Sequence, residues 1–147
     1  MRKDKYPLPT CLVGRCDHKR FTKWLNGRTQ AHVRRDNKKT RKSNATAARY
    51  KQEIYDAVCN GGLRDPYTGE ELDWSLVGKY NNSEAKAGGQ QYKRKFGLLP
   101  TVDHTFDERR EQKLVICSWK LNDAKSDLTL DEFQNLCEMV LEHRGKK

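Results

Sequence analysis

Residues 97 to 145 admit few architectures. Gly97-Leu98-Leu99-Pro100-Thr101-Val102 leads into Asp103-His104 as a predicted strand, and Leu114-Val115-Ile116-Cys117 reads as a second. Between them, Thr105 to Gln112 are polar or charged apart from Phe106 and form a turn. Ser118 is placed to cap the next helix, which carries Asn122 and Lys125 three apart on one face. Thr129 with Glu132 makes a capping box, and Phe133, Leu136, Cys137, Val140 and Leu141 form one apolar stripe that stops before Gly145. The order is strand, turn, strand, helix and a packing helix, an α+β arrangement.

Upstream, punctuation sets the organisation. Pro7, Pro9 and Gly14 make residues 1 to 18 irregular. Phe21, Trp24, Leu25, Ala31 and Val33 are roughly helix-spaced between Lys19 and Asp36, with Asn26-Gly27 as a possible break. Ala47, Tyr50, Ile54 and Val58 lie on one stripe of a second helix, and Gly61-Gly62 supplies its stop. Asp65-Pro66-Tyr67-Thr68-Gly69 is a turn, Leu72 to Val77 a short strand or helical turn, and residues 81 to 91 a surface loop. The chain thus divides into a basic, mostly helical region at 1–60 and a second region at 61–147.

Charge gives the first region its meaning. Residues 1–55 hold sixteen Lys or Arg and four acids, for +12, whereas residues 56–147 hold fourteen and sixteen, for −2. Basic residues interleave with Phe21, Trp24 and Tyr50, and Arg34, Arg35, Lys38, Lys39, Arg41 and Lys42 are the densest set. Such a stretch suits a phosphate backbone, because each neutralised phosphate releases a counterion. DNA is the expected partner, ahead of RNA, with an acidic protein, a lipid surface or a solvated helix face as the plainer readings.

With 35% apolar and 34% charged residues, the core must be small. No apolar run approaches the roughly 18 residues of a membrane span, and no leader is evident, so a soluble, cytoplasmic protein is expected. Five cysteines, an odd number, fit a reducing compartment with free thiols or metal ligands.

Two strands followed by a helix can direct Asp103, His104 and Asn122 at one small polar space. A hard divalent cation, Mg2+ or Mn2+, prefers oxygen ligands such as the Asp103 carboxylate and the Asn122 carbonyl. A neutral His104 can then take the proton of an attacking water, the chemistry of phosphodiester hydrolysis.

At Leu99-Pro100-Thr101-Val102-Asp103-His104, Leu114-Val115-Ile116-Cys117 and Asn122-Asp123-Ala124-Lys125 the chain resembles the HNH endonuclease family. The similarity spans roughly 98–126 and extends weakly to Asp65–Glu70. It implies a small ββα-metal nuclease core flanked by helices, with His104 as general base, Asp103 and Asn122 as metal ligands, and Lys125 supporting the site or the phosphate. Two departures stand out. The family's middle Asn, which pins the catalytic His, is replaced in the region Glu111-Gln112-Lys113, where Gln112 could offer a similar amide. Where relatives carry a zinc knuckle this chain has Asp65-Pro66-Tyr67-Thr68, so structural zinc is not expected there.

Other readings remain open at this level. Asp103-His104 could be a hydrogen-bonded strand end, Asn122 a capping residue, and Lys125 a solvated helix end. Cys11 and Cys16 with His18 could be half a zinc site, whose partners would have to come from His32 or Cys59. Cys117 and Cys137 fall on apolar stripes and read as core, while His32 and His143 read as surface. The alternative function is a non-catalytic DNA- or RNA-binding protein with a degenerate HNH motif. One site per chain, if it cuts both strands, favours a homodimer.

Overall fold

A computed structural model describes residues 3–39, 46–106 and 112–145, the side chains at 37–39, 106 and 112 excepted. Five helices and one two-stranded antiparallel sheet make up the described fold: α1 His18–Lys39, α2 Ala47–Gly61, α3 Asn82–Arg94, β1 Pro100–Phe106, β2 Gln112–Ser118, α4 Trp119–Lys125 and α5 Leu130–Gly145. Among the described residues, no helix is long and apolar enough to cross a membrane.

Helix α1 runs without interruption through Asn26-Gly27, the point at which the sequence allowed a break. Phe21, Leu25, Thr29 and His32 are buried at steps of four, four and three, so the helix is held by a continuous buried stripe that one glycine does not interrupt. In α2 the buried stripe is Tyr50, Ile54 and Val58, capped by Thr46, whose side chain accepts from the Arg49 amide. Gly62 closes it: its N–H donates to the Val58 carbonyl, and a Cβ there would lie 2.6 Å from that oxygen.

One apolar core joins the two regions that the charge pattern separates. Leu12, Phe21, Leu25, Ile54 and Val58 pack with Leu72, Trp74, Val77, Val102, Leu114 and Ile116 in a single cluster. Indole groups tie it to the backbone. Trp74 Nε1 donates to the Gly62 carbonyl at 2.6 Å, and Trp24 Nε1 donates to the Pro100 carbonyl at 3.0 Å, which fixes α1 against the start of β1. The two rings meet edge to face at 4.9 Å.

The sheet pairs Pro100 with Ser118, Val102 with Ile116, Asp103 with Val115 and His104 with Leu114. Asp65, 1% exposed, holds the preceding turn to it. Its Oδ1 accepts from the Tyr67 and Thr68 amides, and its Oδ2 accepts from the Ser118 amide at 2.8 Å. The Asp-Pro-Tyr-Thr-Gly turn is therefore a buried strut across the end of β2.

Two segments differ from expectation. Residues 81–91 are not a loop but most of α3, started by Asn81, whose side chain accepts from the Ser83 and Glu84 amides, and kinked at Gly89 with φ 58°. Side-chain capping and the tolerance of glycine for positive φ offset the weak helix propensity of this stretch. Helix α5 has the expected Thr129–Glu132 capping box, but its stripe does not pack: Leu136, Val140 and Leu141 are 48%, 50% and 72% exposed. Cys137, read as core, is exposed for the same reason. Leu72–Val77 resolves into a 3-10 turn at Trp74–Leu76.

Candidate active site

Along β1 successive side chains leave opposite faces of the sheet, so neighbours in sequence are separated in space. Asp103 and His104 obey that rule. Asp103 faces α4, where its Oδ2 lies 3.2 Å from Lys125 Nζ and accepts a hydrogen bond from the Tyr67 hydroxyl at 2.9 Å. His104 faces α1, with its ring 4.6 Å from that of His32. The single polar space expected for Asp103, His104 and Asn122 is divided by the sheet.

The Asp103 face is built by local rules. Ser118 ends β2 and caps α4, its hydroxyl accepting from the Leu121 amide at 3.3 Å. Two helical turns later Lys125 occupies the last position, favourable for a cation at a helix C-terminus. Ser126, with φ 51°, ends the helix and donates from its amide to the Asn122 carbonyl. Asn122 is half-buried one turn before Lys125. Lys125 is 4% exposed, so it is not a solvated helix end. Burial first, and then the Asp103 charge, raises the Tyr67 phenol and keeps it a donor. Cys117, a core thiol as expected, is likewise raised by burial first and then by Asp103 and Asp65, which leaves it unreactive.

On the other face stand residues that sequence reading passed over. His32 is buried rather than on the surface. Its imidazole is pushed down to about 4 by burial first, then by His104, Arg35 and Arg28, so it is neutral near pH 7. Asp36 Oδ2 lies 3.8 Å from His104 Nε2 and accepts a hydrogen bond from the Tyr50 hydroxyl. A signal for this existed: His32 continues the Phe21–Leu25 stripe, and Asp36 follows it by one turn. Tyr67 carried no comparable signal, because the long-range fold alone brings it to Asp103.

Among the expected phosphate contacts, Arg34 and Arg35 are exposed on α1, Arg35 lying 3.5 Å from Asp127. Lys38 and Lys39 belong to α1, with their side chains outside the described set, and Arg41 and Lys42 lie outside the described residues altogether. The Gln112 amide, considered as a substitute for the middle Asn, is outside it too. Cys11, Cys16 and His18 have separate partners: the Val58 carbonyl, the Asp17 carbonyl, and Asp4 with the Tyr6 carbonyl. Among the described residues, no three His, Cys, Asp or Glu side chains are placed to hold a metal ion together.

Compared with known proteins, the chain matches no family model, no curated protein and no solved structure.

Proposed function

We propose that this chain is a metal-dependent endonuclease of the HNH type that hydrolyses DNA phosphodiester bonds. The observation that carries the reading is the β1–β2–α4 unit, in which Asp103 of the first strand meets Lys125 of the helix while His104 follows Asp103 on the same strand. The basic helix α1 is anchored to the start of that strand through Trp24 at Pro100, which supports reading its charge as a grip on phosphate near the candidate base.

The donor set suits a hard cation. Asp103 and Asn122 offer oxygen and would hold Mg2+ or Mn2+. Asp103 is already paired with one cation, the Lys125 ammonium, which an ion held there would have to displace. Such an ion supplies charge stabilisation at the phosphate and the leaving oxygen. Lys125, released from Asp103, would pair with the phosphate, and His104, which lies on the opposite face of the hairpin, would have to turn towards that ion to take the proton of an attacking water. Two copies of the chain would supply the two sites that a double-strand cut needs.

A second reading is favoured by one specific observation. Asp103 is 4% exposed, with Lys125 and Tyr67 on the same carboxylate oxygen, which suits a retired motif in a non-catalytic DNA- or RNA-binding protein. Incubating supercoiled plasmid with the protein, with Mg2+, Mn2+ or excess chelator, separates the two. Cation-dependent nicking that Asp103→Ala and His104→Ala both abolish supports the nuclease; retention of plasmid without nicking under every condition supports the second reading.

A further inference from the structure

Helix α5 buries none of its residues and contributes nothing to the core cluster. Phe133 is half-buried and every other α5 side chain is exposed. Of the six large apolar side chains exposed among the described residues, five stand on this helix: Leu130, Leu136, Met139, Val140 and Leu141. Apolar surface concentrated in this way marks an interaction site. The Thr129–Glu132 box fixes the start of the helix, but a helix of 16 residues draws most of its stability in water from a packed face. Within one chain that face is left open.

The face is specific. Leu130, Phe133, Cys137, Val140 and Arg144 follow at alternating steps of three and four, the repeat by which helices pack on helices. Leu136 and Leu141 widen the stripe on its two sides, whereas Met139 stands on the far side of the helix.

Charge decides what covers it. The first turn carries Asp131 and Glu132, and the last turn carries His143 and Arg144. A second copy of α5 laid antiparallel brings the acidic turn of each helix to the basic turn of the other, while a parallel copy sets like charges together. A two-fold interface requires a patch complementary to itself. This helix, apolar along its length and oppositely charged at its ends, is such a patch. Its midpoint falls between Cys137 and Glu138, and Cys137 is an exposed thiol on the stripe.

We infer that α5 is a self-association surface, through which two chains pair antiparallel about a two-fold axis close to Cys137. The inference stands apart from the nuclease reading, which draws on β1, β2 and α4. One helix pair covers less than the roughly 800 Å2 per partner of a standard interface, so the dimer should dissociate on dilution, in roughly the micromolar range.

The test is sedimentation velocity of the full chain, from well below to well above about 10 μM. Monomer should give way to dimer as concentration rises. Val140→Glu with Leu141→Glu, both at exposed positions, should raise the dissociation constant about 100-fold or more, with circular dichroism showing the helices retained. Met139→Glu, equally exposed but off the stripe, should leave it within about threefold. Arg144→Glu should weaken pairing about fivefold or more, and adding Asp131→Lys should recover it, as only antiparallel helices allow. A short bismaleimide should join wild-type chains covalently, and Cys137→Ser should remove that product. A chain monomeric across the whole range, a dimer indifferent to the Val140 and Leu141 changes, or one weakened as much by Met139→Glu would overturn the proposal. Failure of Asp131→Lys to recover Arg144→Glu would remove the antiparallel arrangement. If the Val140 and Leu141 variant loses its helix signal, the cross-link decides: covalent dimers undiminished in Cys137→Ser place the contact elsewhere and are equally fatal.

Discussion

Lys125 Nζ and Asp103 Oδ2 lie 3.2 Å apart with both side chains 5% exposed, an ion pair removed from water between the last residue of α4 and the middle of β1. Removing one partner of a buried pair leaves an uncompensated charge, which is more damaging than removing both. Lys125→Met should therefore lower stability to urea by about 3 kcal/mol, and Asp103→Asn with Lys125→Met should restore much of it. Equal stability of the single and double variants would mean that the pair is not coupled. In the nuclease reading, added Mg2+ should also stabilise Lys125→Met more than the wild type, because the ammonium no longer competes for the carboxylate.

The pH dependence of stability follows from His32. Its folded value, about 4, lies below the unfolded value of 6.5, so between these limits the unfolded chain binds the extra proton. Stability is full above pH 6.5 and falls as the pH drops towards 4, by about 3 kcal/mol at most for a shift of this size. Urea titrations at several pH values should show this slope, and His32→Leu should flatten it. A slope that survives the substitution would assign the loss to other groups.

For the chemistry, His104→Ala should reduce plasmid cleavage by roughly 100-fold or more with DNA affinity almost unchanged. Asp103→Ala and Asn122→Ala should each weaken Mn2+ binding, read by titration calorimetry without any substrate. Parallel loss of DNA binding and cutting in His104→Ala would make that residue structural.

Grip and chemistry should separate. Neutralising Lys38, Lys39, Arg41 and Lys42 together should weaken binding to all duplex sequences alike and reduce the salt slope by about 0.9 per lost phosphate contact. Arg34→Ala should add to this effect more than Arg35→Ala, since Arg35 is shared with Asp127. Fluorescence anisotropy at several salt concentrations measures both, and an unchanged slope would assign the basic run to solvent or another partner.

The exposed stripe of α5 should be neutral to the fold of a single chain. Leu141→Ser, at 72% exposure, is expected to cost less than about 0.5 kcal/mol, whereas Leu25→Ala in the core should cost about 3 kcal/mol. Thermal and urea unfolding at low concentration compares them.

What the sequence determined by itself was local: the α2 stripe and its Gly62 stop, the two strands, the Ser118 cap and the Thr129–Glu132 box. Each rests on side-chain periodicity or a hydrogen bond spanning at most four residues, and such forces act within a segment whatever surrounds it. The alternation that splits Asp103 from His104 follows from strand geometry alone, yet the motif led the reading of the sequence to place both side chains in one polar space. Tertiary structure decided which partners meet there. Asp36 reaches His104 across 68 positions and Tyr67 reaches Asp103 across 36, because α1 and the 65–69 turn pack on opposite sides of one hairpin. It also decided that the α5 stripe stays exposed. A periodic apolar face states that a helix can pack, but only the arrangement of the other elements provides, or withholds, a surface for it to cover.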